Sequence, residues 1–187
     1  MDLLVAGLGN PGGRYARTRH NAGSLVTAEL AARWGAPPER EKHGGALSEL
    51  RLDDGTTVAL LRPLGFMNLS GGPVQKAAHA YGLAPEQIVC VHDDVEARFG
   101  QVRAKLGGGL GGHNGLRSVA ERLGTRDFGR VRCGIGRPRP GDRRDLADWV
   151  LSPFEDDEDP APMIDAAAEC VELIAREGID AALAAYP

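Results

Sequence analysis

Cysteine, aromatic residues and long apolar runs are all in short supply in this 187-residue sequence. The three cysteines, Cys90, Cys133 and Cys170, are odd in number, far apart and without C-x-x-C spacing, which argues against a disulfide framework or a structural zinc site. The expected setting is a reducing cytoplasm. No apolar run approaches the roughly 18 residues that span a bilayer, and Met1-Asp2 opens no basic, signal-like segment, so neither secretion nor membrane insertion is expected. Aromatic residues make up 5% of the chain, yet apolar residues in total reach 42% and charged ones 26%, a balance that excludes a disordered or fibrous protein. A chain of this length can bury one sufficient core. One domain over residues 1–187 is therefore expected.

What is abundant is glycine, with 26 residues, joined by 12 prolines. These residues force turns and permit close backbone approach, so the sequence reads as rich in functional loops. The net charge of -4 conceals a strong asymmetry. Residues 98–144 carry 12 basic against 3 acidic residues, net +9, whereas 145–187 carry one basic residue, Arg176, against 12 acidic ones. A mid-chain band of this kind suits a phosphate-rich ligand such as nucleic acid, because binding follows local charge. The acidic run Glu155 to Asp159 lacks the alternating ligands and central glycine of a calcium loop and is expected to be a solvated approach to a helix.

The elements alternate along the chain. Leu3 to Ala6 is a short apolar run ended by Gly7, hence a buried strand; Val26, Leu30 and Trp34 then recur at helical spacing over 22–34. Asp53-Asp54-Gly55 separates segments 46–52 and 56–62 as a hairpin. Ser70 reads as the N-cap of a helix ending at Gly82. Strands are expected at 87–91, 101–105 and 131–135, a helix at 113–123, and a long amphipathic helix through Met163, Ala167, Cys170, Val171 and Ile174. With no internal repeat, this order indicates an α/β fold: a single three-layer α/β/α domain around a twisted, mostly parallel mixed sheet.

Several motifs are absent or incomplete. Gly7 to Gly12 matches G-x-G-x-x-G, but the helix is delayed past Asn21 and no acidic residue follows on a second strand, which weakens a dinucleotide site. The glycine loop 107–112 lacks the G-K-[ST] ending of a nucleotide-binding P-loop. No G-x-S-x-G elbow and no H-E-x-x-H pair occurs, so neither a serine nucleophile nor a metal site has support, and no cofactor is expected.

What remains is a convergence. Asn10, Tyr15, Arg19, His20 and Asn21 follow the first strand, Asn68 follows the run 58–61, and Asp93 follows the run 88–91. In open α/β sheets the carboxyl ends of strands are where ligands bind. An imidazole, a carboxylate to orient it and several amides form a hydrolytic set, with water as the nucleophile since Cys90 and Cys133 lie in strands. A non-catalytic RNA-binding protein and a dinucleotide-dependent oxidoreductase are the competing readings.

The combination resembles the bacterial peptidyl-tRNA hydrolase family. The resemblance rests on GLGNPGGRYARTRHNAG at 7–23, FMNLSG at 66–71, His92-Asp93-Asp94, KLGGGLGGHNGLRS at 105–118 and RCGIGRP at 132–138, in that order, with 150–154 expected to belong to the following helix. It implies hydrolysis of the ester joining a peptide to tRNA. His20 would then be the general base, Asp93 its partner, and Asn10 would orient His20 and the acceptor end. Tyr15, Phe66, Asn68, His113 and Asn114 would meet the substrate, the asparagines holding its peptide backbone. Lys105 and Arg132, assisted by Arg103, would hold the tRNA 5′-phosphate. The implied partner is the acceptor stem and 3′ end of peptidyl-tRNA, and the implied state is a monomer. The chain departs from the resemblance at Asp94 to Arg98, where the family carries a Leu-Asp-Leu-Pro-like stretch.

Overall fold

The structure is a computed structural model that describes all residues, Met1 to Pro187. Seven strands form one sheet: β1 (Leu3–Gly7), β2 (Arg40–Lys42), β3 (Gly45–Arg51), β4 (Thr57–Pro63), β5 (Ile88–Asp94), β6 (Val102–Leu106) and β7 (Gly129–Gly134). Their spatial order is β2-β3-β4-β1-β5-β7-β6. The central four, β4, β1, β5 and β7, are parallel, and the antiparallel pairs lie at the two edges. The expected mostly parallel sheet is therefore observed, with antiparallel additions on both sides, a hairpin meander at β2-β3-β4 and β6 beside β7, to which it is joined through α3.

Strand alternation divides the core in two. Leu3, Val5, Val89, Val91, Val131 and Cys133 face one side, where they meet α1 (Ala22–Arg33), α5 (Ala161–Glu177) and α6 (Ile179–Ala185). Leu4, Ala6, Ile88 and Cys90 face the other, against α2 (Gly71–Tyr81) and α3 (Asn114–Leu123). This is the three-layer arrangement that the alternating elements imply. No helix is long and apolar enough to cross a membrane.

The layers also locate a crevice. β1 leads to α1 on one face, whereas β5 leads by way of β6 to α3 on the opposite face. The chain thus diverges at the carboxyl ends of two adjacent parallel strands, the place where open sheets leave room for a ligand.

Four local expectations need correction. Residues 150–154 do not form a following helix: a short helix, α4 (Leu146–Val150), ends there, and Pro153 bridges back to Thr18. Ser70 stands at the start of α2 but caps nothing, because a 3₁₀ turn (Met67–Leu69) runs directly into the helix; its hydroxyl donates to the Met67 carbonyl, and Ser118 of α3 accepts the Gly71 amide instead. Asp93 lies within β5, not beyond it, since the β7 ladder continues to Asp94. Finally, the acidic run is not uniformly solvated. The Glu158 side chain is buried and pairs at 2.5 Å with Arg19, whose guanidinium is wholly buried and stacks 3.5 Å from the Trp149 ring.

Candidate active site

The loop after β1 ends in a 3₁₀ turn, Arg19–Asn21, that feeds α1 and buries His20 at the crevice. Opposite it, the end of β5 presents Asp93. His20 Nδ1 lies 2.9 and 3.0 Å from the two Asp93 carboxylate oxygens. His113 Nε2 approaches Oδ1 of the same carboxylate at 2.9 Å.

The protons in this cluster can be assigned from its surroundings. His113 is the N-cap of α3, and its Nδ1 accepts hydrogen bonds from the Gly115 and Leu116 amides at 3.1 and 3.3 Å. Nδ1 therefore bears the lone pair and Nε2 the proton, which it donates to Asp93. By the same logic the acceptor-only carboxylate fixes the His20 proton on Nδ1. His20 Nε2 is left with an exposed lone pair, the form of a general base.

Burial by itself would raise the Asp93 pKa, but the electrostatic attraction and hydrogen bonds of His20 and His113 outweigh it and hold the carboxyl well below the usual range. Asp93 stays ionised. The three side chains place ligand atoms within 4.8 Å of one another, a spacing a metal could use. The hydrogen-bond pattern does not fit one: a lone pair on His113 Nε2 would put the ring proton on Nδ1, facing two amide N–H groups.

A third ring backs the cluster. His92 packs edge-on to His113, with ring centroids 5.0 Å apart, and its Nδ1 donates to the Asp93 carbonyl at 2.7 Å. Burial, reinforced by His113, pushes its pKa down to about 3, so it remains neutral.

From this cluster a cleft of about 460 Å³ extends over the sheet; its lining includes His20, Asp93, Lys105, His113, Asn114, Arg130 and Arg132. In the β6–β7 ladder Lys105 pairs with Arg130 and Arg103 with Arg132, so all four basic side chains project from one sheet face. Lys105 feels burial first, then the like charges of Arg130 and Arg132, and its pKa is lowered. Arg103 does not line the cleft; its Nη2 and Nε lie 3.0 and 3.1 Å from the end of the Gln101 side-chain amide, which satisfies them when its oxygen is turned toward them.

Arg130 is a residue that sequence reading missed. Its guanidinium is buried and donates to the Gly107 and Gly109 carbonyls, which anchors the glycine loop over the cleft. Gly107, Gly108, Gly111 and Gly112 all have positive φ, the reason that loop is written in glycine. The signal was available as basic residues alternating along β7, but the register against β6 was needed to read it.

The remaining candidates form an adjoining ledge outside that cleft. Tyr15 and Phe66 meet edge to face at 6.4 Å, and Phe66 is 56% exposed. Asn10 makes no hydrogen bond to His20. Its Oδ1 accepts the Met67 amide at 2.8 Å, while Asn21 holds its backbone from both sides, so Asn10 ties the first loop to the turn carrying Asn68 and keeps Nδ2 free. A Cβ at Gly115 would lie 2.5 Å from the Met67 sulfur, so the glycine lets that turn pack closely on the start of α3. Asn68 and Asn114 thus project from adjoining elements, both exposed and neither engaged within the protein.

Comparison with known proteins accounts for this assembly. A sequence profile described as peptidyl-tRNA hydrolase matches residues 4–187. The chain belongs to the peptidyl-tRNA hydrolase family. It is 47% identical over 182 residues to the peptidyl-tRNA hydrolase of Pseudarthrobacter chlorophenolicus, covering 96% of this chain and 92% of that protein. It is 48% identical over 183 residues to the enzyme of Mycobacterium tuberculosis, covering 96% and 94%. Among solved structures, the peptidyl-tRNA hydrolase of Acinetobacter baumannii superposes with a TM-score of 0.86 at 36% identity, covering 97% of this chain and 94% of that one.

Proposed function

We propose that this chain hydrolyses the ester bond between a peptide and the terminal ribose of tRNA, with His20 as general base. The observation that carries the mechanism is the hydrogen-bond chain from the Gly115 and Leu116 amides through His113 and Asp93 to His20, which leaves His20 Nε2 unprotonated at the crevice. A water between Nε2 and the ester carbonyl gives its proton to Nε2 as its oxygen bonds to the carbonyl carbon. Asp93 offsets the charge of the resulting imidazolium. The tetrahedral oxyanion then collapses, the bond to the ribose oxygen breaks, and that oxygen recovers the proton from His20. Free peptide acid and tRNA leave.

Asn68 and Asn114 supply amide donors for the oxyanion and for the first peptide carbonyl, which an unblocked aminoacyl ester lacks. The apolar ledge of Tyr15 and Phe66 receives the peptide side chain. Lys105 and Arg132 bind the 5′-phosphate beside the acceptor end. Peptidyl-tRNA is a product of translation, so the chain acts in the cytoplasm, and we take it to act as a monomer.

The test is release of N-acetylated amino acid from its tRNA ester by wild type and His20→Ala, without added metal, with unblocked aminoacyl-tRNA as control. The expected result is turnover that needs His20 and spares the control. Salt-sensitive tRNA binding without turnover would instead make the chain an RNA-binding module.

A further inference from the structure

The Arg132 guanidinium is already held from within the protein. Its Nε and Nη2 both donate to Asp94 Oδ2, at 2.6 and 2.5 Å, and the Asp94 side chain is 9% exposed. Asp94 is itself fixed, because Oδ1 accepts the Glu96 amide at 2.9 Å and the residue pairs with Gly134 in the sheet. The contact consumes one edge of the guanidinium and leaves Nη1 without a partner in the protein. Three cations, Lys105, Arg130 and Arg132, share the cleft, and without an anion among them their mutual repulsion would drive the one flexible fork apart.

We propose that Asp94 is a positioning residue for 5′-phosphate recognition: it locks the Nε edge of Arg132 so that the Nη1 end is presented beside Lys105 before substrate arrives. This rests on the phosphate reading of the basic cleft given above and assigns a task to a residue in the segment where the chain departs from its family. A preset fork loses less freedom on binding than a mobile one. The carboxylate acts through Arg132 and need not touch the substrate.

The experiment measures KM for N-acetyl-aminoacyl-tRNA bearing a 5′-phosphate and for the same tRNA dephosphorylated, with wild type, Asp94→Asn, Asp94→Glu and Glu96→Gln. Glu96→Gln removes an equal charge two residues away, where the partner is Arg137 and not Arg132. Wild type is expected to favour the phosphorylated substrate. Asp94→Asn should reduce that preference by a factor on the order of 5, because a neutral amide holds the two guanidinium donors less firmly than the carboxylate does. Asp94→Glu should recover part of it and Glu96→Gln should keep it. An Asp94→Asn ratio equal to wild type, or equal erosion by Glu96→Gln, overturns the positioning role while leaving the phosphate reading in place. A wild type indifferent to the 5′-phosphate overturns both. Should Asp94→Asn fail to fold, the Asp94→Glu ratio decides: a carboxylate in that variant that restores none of the preference expected of a working fork counts against the proposal.

Discussion

His113 and Asp93 are joined by a hydrogen bond whose direction is set at the far side of the imidazole, where two amides of α3 donate to Nδ1. Because His20 leans on the same carboxylate, the start of α3 sets which His20 nitrogen carries the proton through two intervening groups, and with it the proposed general base. Asp93→Asn tests this relationship. With its oxygen kept toward His113, the Asn would turn its NH₂ to the position of Oδ2, 3.0 Å from His20 Nδ1, and so disfavour the ring proton on that nitrogen. We expect kcat to fall by roughly 10²–10⁴, as much as for His20→Ala, with the fold retained. A loss of less than about tenfold would contradict the assigned tautomer.

His92 makes stability depend on pH. Its folded pKa of about 3 lies below its unfolded value near 6.5, so between these values the unfolded chain holds one more proton than the folded one. Stability is therefore fully present above pH 6.5 and lost as pH falls, by up to about 1.4 kcal/mol per pH unit from this group. Asp93, with its depressed pKa, adds a loss in the same direction at lower pH. Urea unfolding of wild type and His92→Asn between pH 4 and 7 should show a shallower slope for the variant, whose amide still has a donor for the Asp93 carbonyl.

Asn68 and Asn114 are expected to confer discrimination. Either residue changed to Ala should narrow the ratio of kcat/KM between N-blocked and unblocked aminoacyl-tRNA by about tenfold, since each truncation removes one polar contact with the peptide unit. Equal losses on both substrates would show that these amides serve the ester alone.

Arg130 holds the glycine loop by two carbonyls. In Arg130→Met those bonds vanish, and the amides of 107–112 should exchange with deuterium markedly faster while those of β5 keep their protection. Salt dependence of tRNA binding should also weaken, as one cation has left the cleft. Unchanged loop exchange would mean the loop is ordered by other contacts.

Arg19 and Glu158 form a buried pair, and removing the Glu158 charge leaves the buried guanidinium only the longer contact with Glu155, at 3.6 Å. Glu158→Gln should destabilise the fold by about 3 kcal/mol in urea, and Arg19→Met with Glu158→Gln should lose less than the two single changes combined. Additive losses would show that Ser152, Pro153, Trp149 and Glu155 satisfy Arg19 without Glu158.

The amino-acid sequence by itself determined the kinds and order of the main elements, because apolar periodicity and glycine or proline punctuation are local properties. It also carried the motif residues His20, Asp93, Asn68, Asn114, Lys105 and Arg132, and thereby the family. Short elements escaped: β2, α4 and α6 have too few residues for a period to emerge, and packing on the sheet decides them. Tertiary structure alone decided which groups meet. His20 and Asp93 are 73 residues apart, Arg19 and Glu158 139 apart, and Arg132 and Asp94 38 apart. The last of these follows from strand order and register, where a shift of one residue turns every side chain to the opposite face, and the first two from where the sheet carries the loops at its strand ends. The proton on His113, the anchoring by Arg130 and the hold of Asp94 on Arg132 therefore existed only once the sheet was assembled.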